Sequence, residues 1–353
     1  MRAQAEELLH GMGDVHPTKR KVELLEALAR LYPSGGREGA SREEVRTVLG
    51  SSGSDAVEAA LKTALLATGR PGLVAFEGAY HGLSFGALDA TWRADFRDPF
   101  AARLPGLTVF ARFGDVEDVA RAAAASDVPI GAVIVEPVQG RGGERVPPRG
   151  FLKTLRQRCD REGWLLIADE VYSGFGRTGR VWACDHESVV PDLLCAGKGL
   201  AAGMPLSACM GRSTVMDRAW PESRGEALHT QTFLGHPLGC AAALASIEIL
   251  ERENLAARAE KSGLLAQELL QKKLSGRPGV VEVRGLGLMI GVELSTPERA
   301  AAVLQRELER GVILLQSGND GRVLSVTPPL VIEPEALLAA LEVMIACVEA
   351  REA

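Results

Sequence analysis

The sequence predicts an α/β fold: a large domain with a mainly parallel sheet covered by helices on both faces, then a smaller C-terminal α/β domain. Three observations carry this. Short continuous apolar runs, the pattern of strands buried on both faces, alternate with segments that carry a helical apolar stripe. At 353 residues the chain exceeds what a single hydrophobic core usually serves. From about residue 255 the texture changes to a long polar helix followed by short strands and helices.

Taken in order, residues 1–10 read as a polar, helix-like start without a signal-peptide core. Residues 19–31 carry a helical apolar stripe and end at a Pro33–Gly36 break. A strand is expected at Val45–Leu49, then a helix from about Gly53 to Thr68. Buried strands are expected at Leu73–Phe76, Leu107–Phe110, Ile130–Glu136, Trp164–Ala168, Leu193–Cys195 and Leu206–Met210, with helices near 115–125 and 150–162 between several of them. A helix near 236–252 leads out of this domain. Strands at Val280–Arg284 and Leu288–Leu294 follow, then a helix over 297–310, strands near 312–315 and 322–327, and a closing helix over 333–350. The resulting limits are a helical segment over 1–40, a large domain over 41–250 and a small domain over 251–353. Gly285-Leu-Gly287 resembles a dinucleotide motif, but it lies between two strands and opens no helix, so it reads as a turn.

A net charge of −6 gives no reason to expect nucleic-acid or anionic-membrane binding. No apolar run reaches the length of a bilayer span. The six cysteines lack CxxC spacing and sit mostly in apolar context, which favours reduced thiols and a cytoplasmic protein. The histidines form no HExxH-like cluster, and no metal is expected.

The chemistry concentrates in residues 164–199. An apolar run, Trp-Leu-Leu-Ile-Ala, ends in the carboxylate Asp169, and Lys198 follows 29 residues later between glycines. The chain has only eight lysines, and the other seven lie in stretches that read as solvated helix faces. Burial of Lys198 in its apolar turn would lower its pKa and favour the amine. An amine able to form a Schiff base, with a carboxylate to keep a ring nitrogen protonated, is the equipment of a pyridoxal 5′-phosphate site. Gly50-Ser-Ser-Gly53-Ser54-Asp55 places free N–H groups and hydroxyls at a helix start, where a phosphate would bind. Tyr80, just beyond a strand in Gly-Ala-Tyr80-His81-Gly, offers a ring to stack on a flat cofactor.

With Val-Ile-Val-Glu136-Pro-Val-Gln-Gly, Ala-Asp169-Glu-Val-Tyr172-Ser-Gly-Phe-Gly-Arg-Thr-Gly, Ala-Gly-Lys198-Gly and Thr232-Phe-Leu-Gly-His-Pro-Leu, these motifs resemble the class III, ornithine/4-aminobutyrate-type aminotransferases of the fold-type I pyridoxal-phosphate enzymes. The resemblance covers roughly residues 10–345. It implies a ping-pong transfer of an amino group from an amine or amino acid to an oxo acid or aldehyde. In it Lys198 carries the cofactor and moves the Cα proton, and Asp169 pairs with the ring nitrogen. Gly53 and Ser54 bind phosphate, Tyr80 stacks, and Val171 lines the ring pocket. Thr232 would reach the cofactor of a neighbouring subunit, so a homodimer with shared sites is implied. Glu136 matches a glutamate near the site. An epimerase or aminomutase of the same fold and a non-catalytic dimeric homologue remain alternatives.

Three departures from the family pattern stand out. Tyr172 occupies the position of an amide placed near the cofactor's phenolic oxygen. Arg141 stands where the family keeps a glutamate, and Ser325 where it keeps a carboxylate-gripping arginine, so a small monocarboxylate or aldehyde acceptor is expected to outperform 2-oxoglutarate, with Arg141 (or, failing that, Arg322) holding the carboxylate. The sequence also begins several dozen residues later than the family usually does, as a shortened member or a trimmed chain would.

Overall fold

A computed structural model describes residues 1–13, 15–35, 44–222 and 226–350. The end of the expected Pro33–Gly36 break and the 40/41 boundary lie outside these ranges. Seven strands form the main sheet: β1 (Val45–Gly50), β2 (Gly72–Phe76), β3 (Thr108–Ala111), β4 (Ile130–Val135), β5 (Leu165–Asp169), β6 (Leu193–Ala196) and β7 (Ser207–Arg212). Their order across the sheet is β1-β7-β6-β5-β4-β2-β3. All run parallel except β7, which pairs antiparallel with both β6 and β1.

The apolar runs explain the burial. Every residue of β2, β4, β5 and β6 is buried, so alternate side chains feed two cores, one on each face. One face is covered by α2 (Lys19–Leu31), α6 (Val116–Ala124), α7 (Phe151–Glu162) and α9 (Pro237–Arg252). The other is covered by α3 (Gly53–Thr68), α4 (Phe85–Asp89) and α8 (Ser213–Ala219). The buried stripe of α3 is mostly alanine (Ala56, Ala59, Ala60, Ala64, Ala67), which lets the helix lie close against the sheet centre. Two further short α-helices are α1 (Arg2–Glu7) and α5 (Ala94–Arg97).

Beyond α9 comes α10 (Leu255–Leu274), then a four-stranded antiparallel sheet in the order β10-β11-β9-β8. Its strands are β8 (Val280–Leu286), β9 (Met289–Leu294), β10 (Leu315–Ser317) and β11 (Val323–Val326), covered by α11 (Pro297–Glu309) and α12 (Pro334–Glu349) around a third core. Gly287 lies in the tight turn between β8 and β9, as its place between two strands predicts. The strand expected near 312–315 instead occupies Leu315–Ser317, because pairing of Leu315 with Ser325 sets its register. The six cysteines are all buried and unpaired.

Candidate active site

The carboxyl ends of β1, β2, β4, β5 and β6 open onto one crevice, the place where parallel α/β sheets bind ligands. Within it a cavity of about 240 Å³ is bordered by residues just past those strand ends: Gly53 and Ser54, Tyr80, Glu136 with Arg141, Asp169, and Lys198. Residues scattered over 146 positions of sequence are brought to one wall-to-wall site by strand order alone.

Asp169 closes β5 and is buried at the cavity floor. Its Oδ1 accepts from Val171 N–H at 3.1 Å and its Oδ2 meets His81 Nδ1 at 2.7 Å. Facing a carboxylate, Nδ1 is the protonated nitrogen and donates. His81 is itself buried, and its backbone N–H donates to Thr91 Oγ1 at 3.0 Å. The Gly-Ala-Tyr-His-Gly motif by itself gives this histidine no role. Only its partner, far away in sequence, supplies one.

Lys198 follows β6 in a turn closed by Leu200 N–H donating to Gly197 O at 2.7 Å. The sequence places it in a buried turn, yet the residue is exposed. The end of β6 meets the crevice rather than the core, so the ammonium faces the open cavity while protein surrounds it. Loss of solvation lowers its pKa, opposed by the charges of Asp169 and Glu136 and aided by Arg141. Its Nζ lies 4.7 Å from the centre of the Tyr172 ring. Two of the lysines read as solvated are engaged instead: Lys21 donates to Gly13 O, and Lys62 Nζ lies 3.1 Å from His229 Nδ1.

The first turn of α3 is held by a capping box. Ser52 Oγ accepts from Asp55 N–H at 3.2 Å, and Asp55 Oδ2 accepts from the N–H groups of Ser51 and Ser52 at 3.0 and 2.9 Å. The N–H groups of Gly53 and Ser54 have no intrahelical carbonyl to reach, so the helix start presents donors to the cavity. Ser54 Oγ also accepts from Leu83 N–H at 3.2 Å, tying this turn to the Tyr80 loop. Gly82 makes that approach possible, since a Cβ there (φ +123°) would stand 2.1 Å from Ser54 Oγ.

Glu136 is buried and forms no ion pair among the described residues. Its Oε2 accepts from Tyr80 N–H at 3.0 Å and its Oε1 from Gly140 N–H at 3.1 Å, so it joins the Tyr80 and Arg141 loops. Burial pushes its pKa up to about 7, partly countered by His81. The Arg141 guanidinium sits over the Tyr80 ring, 5.2 Å from its centre. Tyr172 lines the cavity with its ring, but its hydroxyl bonds Thr327 Oγ1 at 3.2 Å rather than reaching into the site. Val171 packs its side chain over Gly53. Thr232 stands apart, exposed in the segment that enters α9 and outside the cavity. Arg322 is committed elsewhere, pairing with Asp320 at 2.7 Å.

This donor set fits pyridoxal phosphate: a fixed carboxylate for a ring nitrogen, an amine of lowered pKa for an aldehyde, a helix start for a phosphate and a tyrosine beside the ring space. Comparison with known proteins agrees. The family model "Aminotransferase class-III" matches residues 1–348. Acetylornithine aminotransferase of Methanopyrus kandleri is 39% identical over 94% of this chain and 85% of its own length. The 4-aminobutyrate aminotransferase of Mycobacterium leprae is 34% identical over 98% of this chain and 80% of its own. Among solved structures, a pyridoxal-phosphate-bound amine transaminase from an uncultivated Pseudomonas species superimposes with a TM-score of 0.86 at 30% identity, covering 98% of this chain and 85% of that one.

Proposed function

The chain belongs to the class III aminotransferases, which depend on pyridoxal 5′-phosphate, and from that premise we propose that Lys198 and Asp169 are its catalytic pair. The observation that carries this is their convergence from adjacent strands, β6 and β5, on one cavity. When bound, the cofactor supplies an aldehyde that exchanges amino groups and a ring that withdraws electrons while its nitrogen is protonated.

Asp169 holds that proton at the ring nitrogen, its own charge oriented by His81 and the Val171 N–H. Lys198, favoured toward the neutral amine, takes and returns the proton at the substrate Cα. Gly53 and Ser54 bind the phosphate, and Tyr80 packs against the ring. Val171 shapes the ring pocket over Gly53. Glu136, Tyr172 and Arg141 border the substrate side. The donor is a primary amine or amino acid, and acetylornithine and 4-aminobutyrate, after which two relatives are named, are the first to assay. The acceptor is an oxo acid or aldehyde.

The working form is a cytoplasmic homodimer in which Thr232 completes the partner's phosphate site. Six buried, unpaired thiols support a reducing compartment. Among the described residues no helix is long and apolar enough to cross a membrane. The division into a helical segment over 1–40, a cofactor-binding domain over 41–250 and a small domain over 251–353 is supported by the two separate sheets.

Borohydride reduction of the holoenzyme followed by peptide mapping tests the assignment. The pyridoxyl group is expected on Lys198, and Lys198→Ala is expected to fold and lose turnover. An adduct on any other lysine overturns it.

A further inference from the structure

Arg141 is an exposed cation at the cavity wall. No carboxylate lies within ion-pair distance of it among the described residues, and its guanidinium only covers the face of Tyr80. Two other arginines carry acid partners: Arg284 pairs with Glu293 at 2.5 Å and Arg322 with Asp320 at 2.7 Å. Arg141 is also held from both sides. Its carbonyl accepts from Gly318 N–H at 3.0 Å, and Gly143 O accepts from Arg284 Nε at 2.7 Å.

The main fastening is Glu144, three residues on and fully buried. Its Oε2 accepts from Ser317 Oγ and its Oε1 from Ser325 Oγ, both at 2.6 Å. A carboxyl group from the main-sheet loop is thereby plugged between β10 and β11, which makes the Arg141 loop ride with the four-stranded sheet. The fastening leaves the guanidinium over the Tyr80 ring at the cavity wall.

We infer that Arg141 is the specificity-determining residue for the substrate carboxylate and that Glu144 is the residue that positions it. This rests on the aminotransferase reading of the same cavity. Guanidinium pairs with carboxylate in a bidentate, charge-assisted fork. Besides Lys198, Arg141 is the one lysine or arginine of this chain bordering the cavity among the described residues, so this wall offers an anchor to one carboxylate. The acceptor class is therefore a small oxo monocarboxylate.

The test compares pyruvate with propanal as acceptors for the holoenzyme and one fixed amine donor. In Arg141→Ala the ratio of kcat/KM for pyruvate to that for propanal is expected to fall roughly ten- to a hundredfold, through KM for pyruvate. Arg141→Lys should fall between. Glu144→Ala should lower the same ratio by a smaller factor, and Glu144→Gln, which can still meet both serine hydroxyls, should restore it. Saturation-transfer NMR adds a readout independent of turnover: propionate is expected to bind wild type better than propionamide, and Arg141→Ala to erase that preference. An unmoved acceptor ratio with an unmoved propionate preference overturns the proposal, as does 2-oxoglutarate outperforming pyruvate tenfold. If wild type aminates neither acceptor while propionate binding still depends on Arg141, it is the aminotransferase reading that fails and the carboxylate site that stands.

Discussion

Both oxygens of Asp169 are engaged within the protein, and this makes its charge the quantity to test. Asp169→Asn keeps the shape, and the buried environment denies water the chance to replace the lost charge. Proton removal from the donor is expected to slow by roughly 10²–10³-fold, the scale of removing one preorganised electrostatic partner from a dry site. Stopped-flow absorbance of the donor half-reaction measures this, and a wild-type rate would assign the carboxylate another part. Asp169 and Lys198 were legible because their local sequence is unusual: a carboxylate ending an apolar run, a lysine among glycines. His81 and Glu144 were not. Their meaning lies in partners 88, 173 and 181 positions away, and nothing in their own neighbourhood distinguishes them. Tyr172 shows the converse: its place in the motif suggests a hydroxyl near the cofactor's phenolic oxygen, whereas its ring borders the cavity and its hydroxyl turns away to Thr327.

At the scale of elements, α3 joins folding to binding. Its capping box contributes about 1 kcal/mol to the helix and leaves the Gly53 and Ser54 N–H groups facing the cavity. A Cβ at Gly53 would stand 2.8 Å from Val171 Cγ1. Gly53→Ala is therefore expected to displace the turn and weaken cofactor binding by about 1–3 kcal/mol, the usual cost of overpacking. Val171→Ala in the same chain should recover most of that loss. Titration of the apoprotein with cofactor, followed by absorbance, checks both, and unaltered affinity in Gly53→Ala would remove this turn from the phosphate site. The buried strands β2, β4, β5 and β6 were readable because burial on both faces leaves unbroken apolar runs. The helices α4, α5 and α8 span 5, 4 and 7 residues, too short to display a 3.6-residue period. Local pattern also misplaced β10, whose position is set by pairing with β11.

The molecule as a whole buries carboxyl groups at Glu136, Glu144, Glu170 and Glu307, each with its pKa raised by burial to about 7. A folded pKa above the unfolded value of 4.5 means the fold binds the proton more tightly, so the contribution of these groups to stability is fullest below about pH 4.5 and declines as pH rises toward 7. Glu307 isolates the effect, because it is buried on α11, does not border the cavity and has no hydrogen-bond partner for either oxygen among the described residues. Glu307→Gln is expected to gain on the order of 2–3 kcal/mol over wild type at pH 8 and little at pH 5. Urea unfolding at the two pH values measures this, and an equal difference at both would mean the carboxyl is not shifted. The final whole-molecule test concerns the second subunit. Leu228 is 74% and Phe233 59% exposed on either side of the exposed Thr232, and the His10 ring packs on Phe233 with centroids 5.4 Å apart. An apolar surface beside a threonine that lies outside the described cavity of its own chain is what the proposed shared site would use. Sedimentation is expected to find a dimer. Phe233→Asp should shift it toward monomer and make cofactor affinity depend on protein concentration, whereas Thr232→Ala should weaken cofactor binding with the dimer intact. A monomer that holds its cofactor as tightly as the undiluted protein would show that each chain completes its own phosphate site, and Thr232 would lose its proposed role.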